Sequence, residues 1–106
     1  MLCAITQQAY ATLEKLDNKS TATAKIIVTL LDEIFTDLDL LYIDPTTVSI
    51  EFAFDTTVGL FTIKEKEILL HIDMGGIERT RSVLLTDDWE LHIKRWLISL
   101  RESAKI

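Results

Sequence analysis

The chain has 106 residues, 17 acidic and 11 basic, with a formal net charge of -6. Apolar residues supply 48% of it, too many for a disordered chain, and the length suits one ordinary globular domain over 1–106. No apolar run approaches the roughly 20 residues of a membrane helix, and the acidic balance disfavours nucleic acid, which calls for a positive surface.

The opening residues, Met1 to Ile5, lack the basic region and long apolar run of a secretory signal. Helical spacing begins at once: Leu2, Ile5, Ala9, Leu13 and Leu16 recur on one stripe, predicting a first helix over about residues 4–17. Asp17-Asn18-Lys19-Ser20 reads as a break, after which Ser20 or Thr21 is placed to cap a second helix running to about residue 41. Its apolar side carries Ile26, Ile27, Leu30, Leu31, Ile34, Phe35, Leu38, Leu41 and Tyr42. That arc is wider than a surface helix needs, so the helix is expected to touch both a sheet and another helix. Asp44-Pro45 is expected to end it, because the residue before proline disfavours helical dihedrals.

The period then changes to two. Val48, Ile50, Phe52 and Phe54 alternate with Ser49, Glu51 and Ala53, the pattern of a strand with one buried face. With Asp55-Thr56 as a two-residue turn, Ile50 faces Phe61 and Phe52 faces Gly59; with Glu65-Lys66 as the next, Ile63 meets Ile68 and Phe61 meets Leu70. Both registers select the same inner face, which strengthens each. Gly75-Gly76 turns the chain into a fourth strand over about residues 78–85. A two-residue loop places Arg79, Arg81, Val83 and Leu85 on the core face; a three-residue loop would place Thr80, Ser82 and Leu84 there. The first is preferred, since arginine can bury its stem and keep its head wet. Asp87 with Glu90 three positions later forms an acidic variant of the capping box for a last helix, whose stripe is Trp89, Ile93, Trp96, Leu97 and Leu100. The expected fold is therefore α+β, ordered α-α-β-β-β-β-α: a four-stranded antiparallel meander with helices packed mainly on one face.

No motif for a metal, phosphate or other cofactor appears. His71 and His92 have no HExxH context, and Gly75-Gly76 lacks the lysine and hydroxyl tail of a phosphate loop. The one polar constellation that can be built is Glu51, His71 and Asp73 on the outer sheet face, with Arg79 and Arg81 nearby, and it supports a secondary reading as a small enzyme or ligand-binding protein. Against it, Glu51 and His71 flank Leu60 and start almost 10 Å apart, two strand spacings. The arginines admit a plainer role, neutralising Glu65, Glu67 and Glu78. A nucleic-acid role would require them to align with an aromatic platform, and Trp89 and Trp96 fall in the helix stripe instead.

The stronger functional signal is surplus hydrophobicity. Ala53, Val58, Leu60 and Leu69 point to the outer sheet face, with Leu84 nearby, and Leu91 and Ile98 lie almost opposite the tryptophan stripe of the last helix. A contiguous apolar patch marks a partner surface. Asp32, Glu33, Asp37, Asp39 and Asp44 offer an acidic side that would steer a basic partner. The expectation is a small acidic, non-catalytic protein–protein interaction module (adaptor, regulator or inhibitor), engaging a protein partner or forming a homodimer. A single cysteine, Cys3, leaves no intrachain disulfide and suits a reducing, cytoplasmic setting.

Overall fold

The computed structural model describes residues 3–86 and 88–104. Helices α1 (Ala4–Glu14) and α2 (Thr21–Ile34) are followed by strands β1 (Leu40–Asp44), β2 (Ser49–Phe54), β3 (Thr57–Ile63), β4 (Glu67–Met74) and β5 (Ile77–Leu84), and then by α3 (Trp89–Ala104). The class is α+β as expected. The sheet, however, is a five-stranded antiparallel meander in the order β1-β2-β3-β4-β5, not a four-stranded one.

The additional strand comes from the expected tail of the second helix. Phe35 leaves the helix in an extended conformation (φ -112°, ψ 124°) while its N–H still bonds Leu31 O. Leu41 and Ile43 are buried and Leu40 and Tyr42 exposed, the period-two signature of a half-buried strand. Helical spacing through 34, 35, 38, 41 and 42 coincides with this pattern only at Leu41. Pro45 thus follows a strand, and Asp44 Oδ1 accepts the Thr46 N–H at 2.9 Å to start the turn into β2. That turn ends at Val48, buried at φ 51°, an uncommon conformation for a β-branched residue. Neither Ser20 nor Thr21 caps α2 through its side chain; Asn18 Oδ1 accepts the Ser20 N–H at 2.8 Å instead. Asp87, the expected cap of α3, lies outside the described residues.

The hairpin registers agree with the sequence reading. Ile50 faces Phe61, Phe52 faces Gly59, Ile63 faces Ile68 and Phe61 faces Leu70. Met74 faces Ile77 across the Gly75-Gly76 loop, whose φ values of 61° and 97° suit glycine. The inner face is filled by Ile50, Phe52, Phe54, Phe61, Ile68 and Leu70, joined in one cluster with Leu13, Ile27, Leu31, Ile93 and Leu97 from the helices. Phe35 packs on Phe54 with ring centroids 4.5 Å apart, which brings the end of α2 over the end of β2.

Two polar contacts set the helix layer. The Thr6 hydroxyl donates to Asp32 Oδ1 at 2.7 Å, tying α1 to α2. Arg101 Nη1 donates to Ile34 O at 3.1 Å, tying the last turns of α3 to the last residue of α2. Helix α3 therefore starts just beyond the end of β5 and finishes beside Ile34, Phe35 and Phe54. It crosses the sheet diagonally instead of lying along β5. The first half of β5 is left uncovered: Ile77, Arg79 and Arg81 are exposed although they share the core-facing side with Val83.

Candidate functional site

Two surfaces follow from this layout. The first is the sheet face opposite the helices. Cross-strand rows on it read Leu40, Ala53, Val58, Asp73, Glu78 and then Tyr42, Glu51, Leu60, His71, Thr80. Apolar side chains gather over β1–β3, where Tyr42 is 55% and Val58 46% exposed, with Leu40 and Leu60 beside them. Polar and acidic groups gather over β4 and β5. Leu69 lies one row further along, between Thr62 and Ser82.

Of the partner residues expected from sequence, Leu60 and Leu69 share this face. Leu91 is 48% exposed but sits on α3, on the other side of the sheet. Ile98 packs against the core, so it does not extend an outward patch. The helical spacing takes in Tyr42, and Leu40 falls within the expected span of the second helix; their place in the patch follows from β1 being a strand. The acidic group divides similarly. Asp32 accepts from Thr6 and from the Cys3 N–H, Asp39 Oδ2 from the Asp55 N–H at 3.2 Å, and Asp44 from Thr46. Three of those five carboxylates hold local structure.

The expected polar constellation is split by the sheet. Glu51, His71 and Asp73 lie on the outer face, and Arg79 and Arg81 on the inner one, opposite Ile72 and Leu70. Glu51 and His71 do flank Leu60, a separation of about 10 Å for two strand spacings. His71 is engaged across the β4–β5 hairpin instead, through Nδ1 and the Thr80 hydroxyl at 3.0 Å and through Nε2 and Glu78 Oε1 at 3.3 Å. Asp73 Oδ1 accepts the Gly76 N–H at 2.7 Å and so shapes the glycine turn. These contacts account for His71 and Asp73 as hairpin residues. Among the described residues no cluster of three or more histidine, cysteine or carboxylate groups is placed to hold a metal ion.

The second surface is the wedge left by the diagonal of α3. It forms a cleft of about 280 Å³ between β4–β5 and the latter half of α3. Ile72, Met74, Trp96 and Leu100 supply its apolar lining, Ser99 and Ser103 its hydroxyls, and Arg79, Arg81 and Arg95 its charge. Among the described residues no carboxylate lines it. Among the described residues none of the three arginines has an ion pair or side-chain hydrogen bond. Glu78 goes to His71, so the expected neutralisation of the sheet glutamates by Arg79 and Arg81 is not what the structure contains. Arg95, distant in sequence, joins the other two. Trp96 lies partly buried beside them, an aromatic neighbour that the sequence reading kept apart from the arginines.

Asp32 has its pKa displaced downward. Burial pushes it up, but hydrogen bonds from Thr6 and from the Cys3 thiol and N–H outweigh that and hold it below its ordinary 3.8. It serves the α1–α2 contact, away from both surfaces. Among the described residues no helix is long and apolar enough to cross a membrane. No known family, curated protein or solved structure matches this chain.

Proposed function

We propose that the chain is a small, non-catalytic protein–protein interaction module that self-associates through the open face of its sheet. The observation behind this reading is the one-sided helix layer, which leaves Leu40, Tyr42, Ala53, Val58 and Leu60 as a contiguous apolar corner. Among the described residues Glu51 is the only charged group within that corner, while Asp73 and Glu78 lie toward the other edge of the sheet. A two-fold axis through Leu60 sets the apolar corner on itself and carries the acidic edges apart, which suits a second copy of the chain.

Size decides what kind of dimer to expect. Five strands about 4.8 Å apart, each roughly 20 Å long, present about 480 Å² in plan. A standard interface buries about 800 Å² per partner. The dimer is therefore reversible and concentration-dependent. The exposed thiol of Cys3 suits a reducing, cytoplasmic setting.

Sedimentation equilibrium across a concentration series is the test. The mass should rise from 12.1 kDa toward twice that value. Leu60→Lys should weaken association at least tenfold without lowering the melting temperature, since Leu60 is already exposed. Leu91→Lys, on another surface, should change nothing. A strict monomer at millimolar concentration, or association indifferent to Leu60→Lys, would refute the reading.

A further inference from the structure

We propose that the α3–β5 cleft binds an extended, acidic segment of another polypeptide, which adds as a sixth strand to the free edge of β5. This site lies on the opposite side of the sheet from the self-association surface and is independent of it.

Three observations converge. First, among the described residues β5 ends the sheet and pairs only with β4, so its outer N–H and C=O groups have no strand partner there. Such a row is a template for an added strand. Second, the side of β5 that faces the helix layer carries Arg79 and Arg81 two residues apart, both exposed. Side chains of a strand paired to β5 stand about 4.5–5.5 Å from them, Cβ to Cβ, at alternate positions, within reach of guanidinium–carboxylate bonds. Third, Arg95 and Trp96 come in from α3 above the same groove, over a floor that includes Ile72 and Leu100.

The cleft thus offers three cations, unpaired among the described residues, and an apolar floor to whatever lies along β5. A segment alternating carboxylates with other residues turns its acidic side chains to the three arginines and lays their methylene stems against the apolar floor. The opposite side of β5 carries Glu78, Thr80 and Ser82 and contributes no cation, so the preference for acid belongs to the helix-facing positions alone. A long nucleic-acid strand fits less well. It would have to leave this patch across a surface whose net charge is -6.

Charged side chains on an edge strand also guard against unwanted pairing, and the experiment separates that role from binding. Blocked, fluorescently labelled eight-residue peptides alternating glutamate with valine would be titrated by anisotropy at low and moderate salt. The glutamate peptide should bind, and moderate salt should weaken it. Its glutamine counterpart should bind at least tenfold more weakly. The glutamate peptide methylated on alternate backbone nitrogens should lose a similar factor. Arg79→Glu/Arg81→Glu should abolish binding. Arg95→Glu, on a different element, should weaken it at least fivefold with β5 untouched. Leu60→Lys should leave it unchanged, so failure here and failure of the self-association reading are distinguishable. The proposal is overturned if the glutamate peptide does not bind at millimolar concentration, or if the glutamine peptide binds equally well. Indifference to N-methylation would remove the added strand. An eight-nucleotide oligothymidylate that binds more tightly than the peptide would assign the cleft to nucleic acid instead.

Discussion

Gly59 offers the sharpest test of how the sheet supports its core. It faces Phe52 across the β2–β3 ladder, and the far end of the Phe52 ring fills the space where a side chain would stand. A Cβ added at Gly59 would overlap ring atoms Cζ and Cε1, with Cε2 only 3.0 Å away. The ring has no free direction to move. It is fully buried, with the Phe61, Phe35 and Phe54 centroids at 5.6, 6.2 and 6.5 Å. Forcing one carbon into such a site costs about 1–3 kcal/mol. Relief of the glycine entropy cost returns about 0.5–1 kcal/mol. Gly59→Ala should therefore destabilise by about 1–2 kcal/mol, a fall in Tm of roughly 5–15 °C at about 4–8 °C per kcal/mol for a domain near this size. Paired urea and thermal unfolding would measure it. The double variant Gly59→Ala/Phe52→Leu should be more stable than the sum of the single losses by about 1 kcal/mol, because trimming the ring removes the overlap. Wild-type stability in Gly59→Ala, or strict additivity, would show that Phe52 does not depend on the bare glycine.

The α1–α2 tie gives a pH-dependent prediction. Asp32 has a folded pKa below its ordinary 3.8, so its contribution is fully present above that value and is lost as pH falls through the folded pKa. Asp32→Asn should melt below wild type at pH 7, and the gap should close in acid; a gap that persists unchanged at low pH would show that the carboxylate charge is not what Thr6 and Cys3 hold. For the hairpin, Asp73→Ala removes the acceptor for the Gly76 N–H and should cost about 1 kcal/mol, with faster amide exchange at residues 74–77; unaltered exchange there would argue against the turn contact.

The β2–β4 meander was legible in the sequence because two turns independently chose one buried face. The Gly75-Gly76 loop then carried the register into β5 and placed Arg79 and Arg81 correctly on the inner side. The segment 35–44 was not legible in the same way. Phe35, Leu38 and Leu41 continue the helical spacing of α2, and Leu41 and Ile43 alone, two inward positions in a five-residue edge strand, are too few to overrule it. Tyr42 was misplaced with them, so the apolar corner was seen only through Ala53, Val58 and Leu60. The cleft was hidden for a different reason. Arg95, Trp96 and Ser99 fall on a recognisable flank of α3, but whether that flank lies over β5 or beyond it depends on the angle at which α3 crosses the sheet, and helical periodicity carries no information about that angle.

What sets the angle is open to direct test at Arg101. Its Nη1 bonds the carbonyl of Ile34, the last residue of α2, one of the acceptors a helix end leaves without an intrahelical partner. A cation there also opposes the negative end of the helix dipole. Arg101→Met keeps much of the apolar stem and deletes the donor. A charged hydrogen bond contributes about 1.5–3 kcal/mol. The side chain is 36% exposed, and its Nε is buried without a partner, so the variant also sheds an unsatisfied donor. The expected loss is accordingly at the low end, about 1 kcal/mol. Its location discriminates more than its size. If this bond draws α3 across the sheet, amide exchange should quicken in residues 97–101 and at the end of α2, while the β2–β4 amides keep their protection relative to global unfolding. Arg101→Lys, which retains the charge, should recover part of the loss. Uniform acceleration across all elements would mean that Arg101 contributes only to global stability, and that the wedge over Arg79 and Arg81 is set by the packing of Ile93, Leu97 and Leu100 instead.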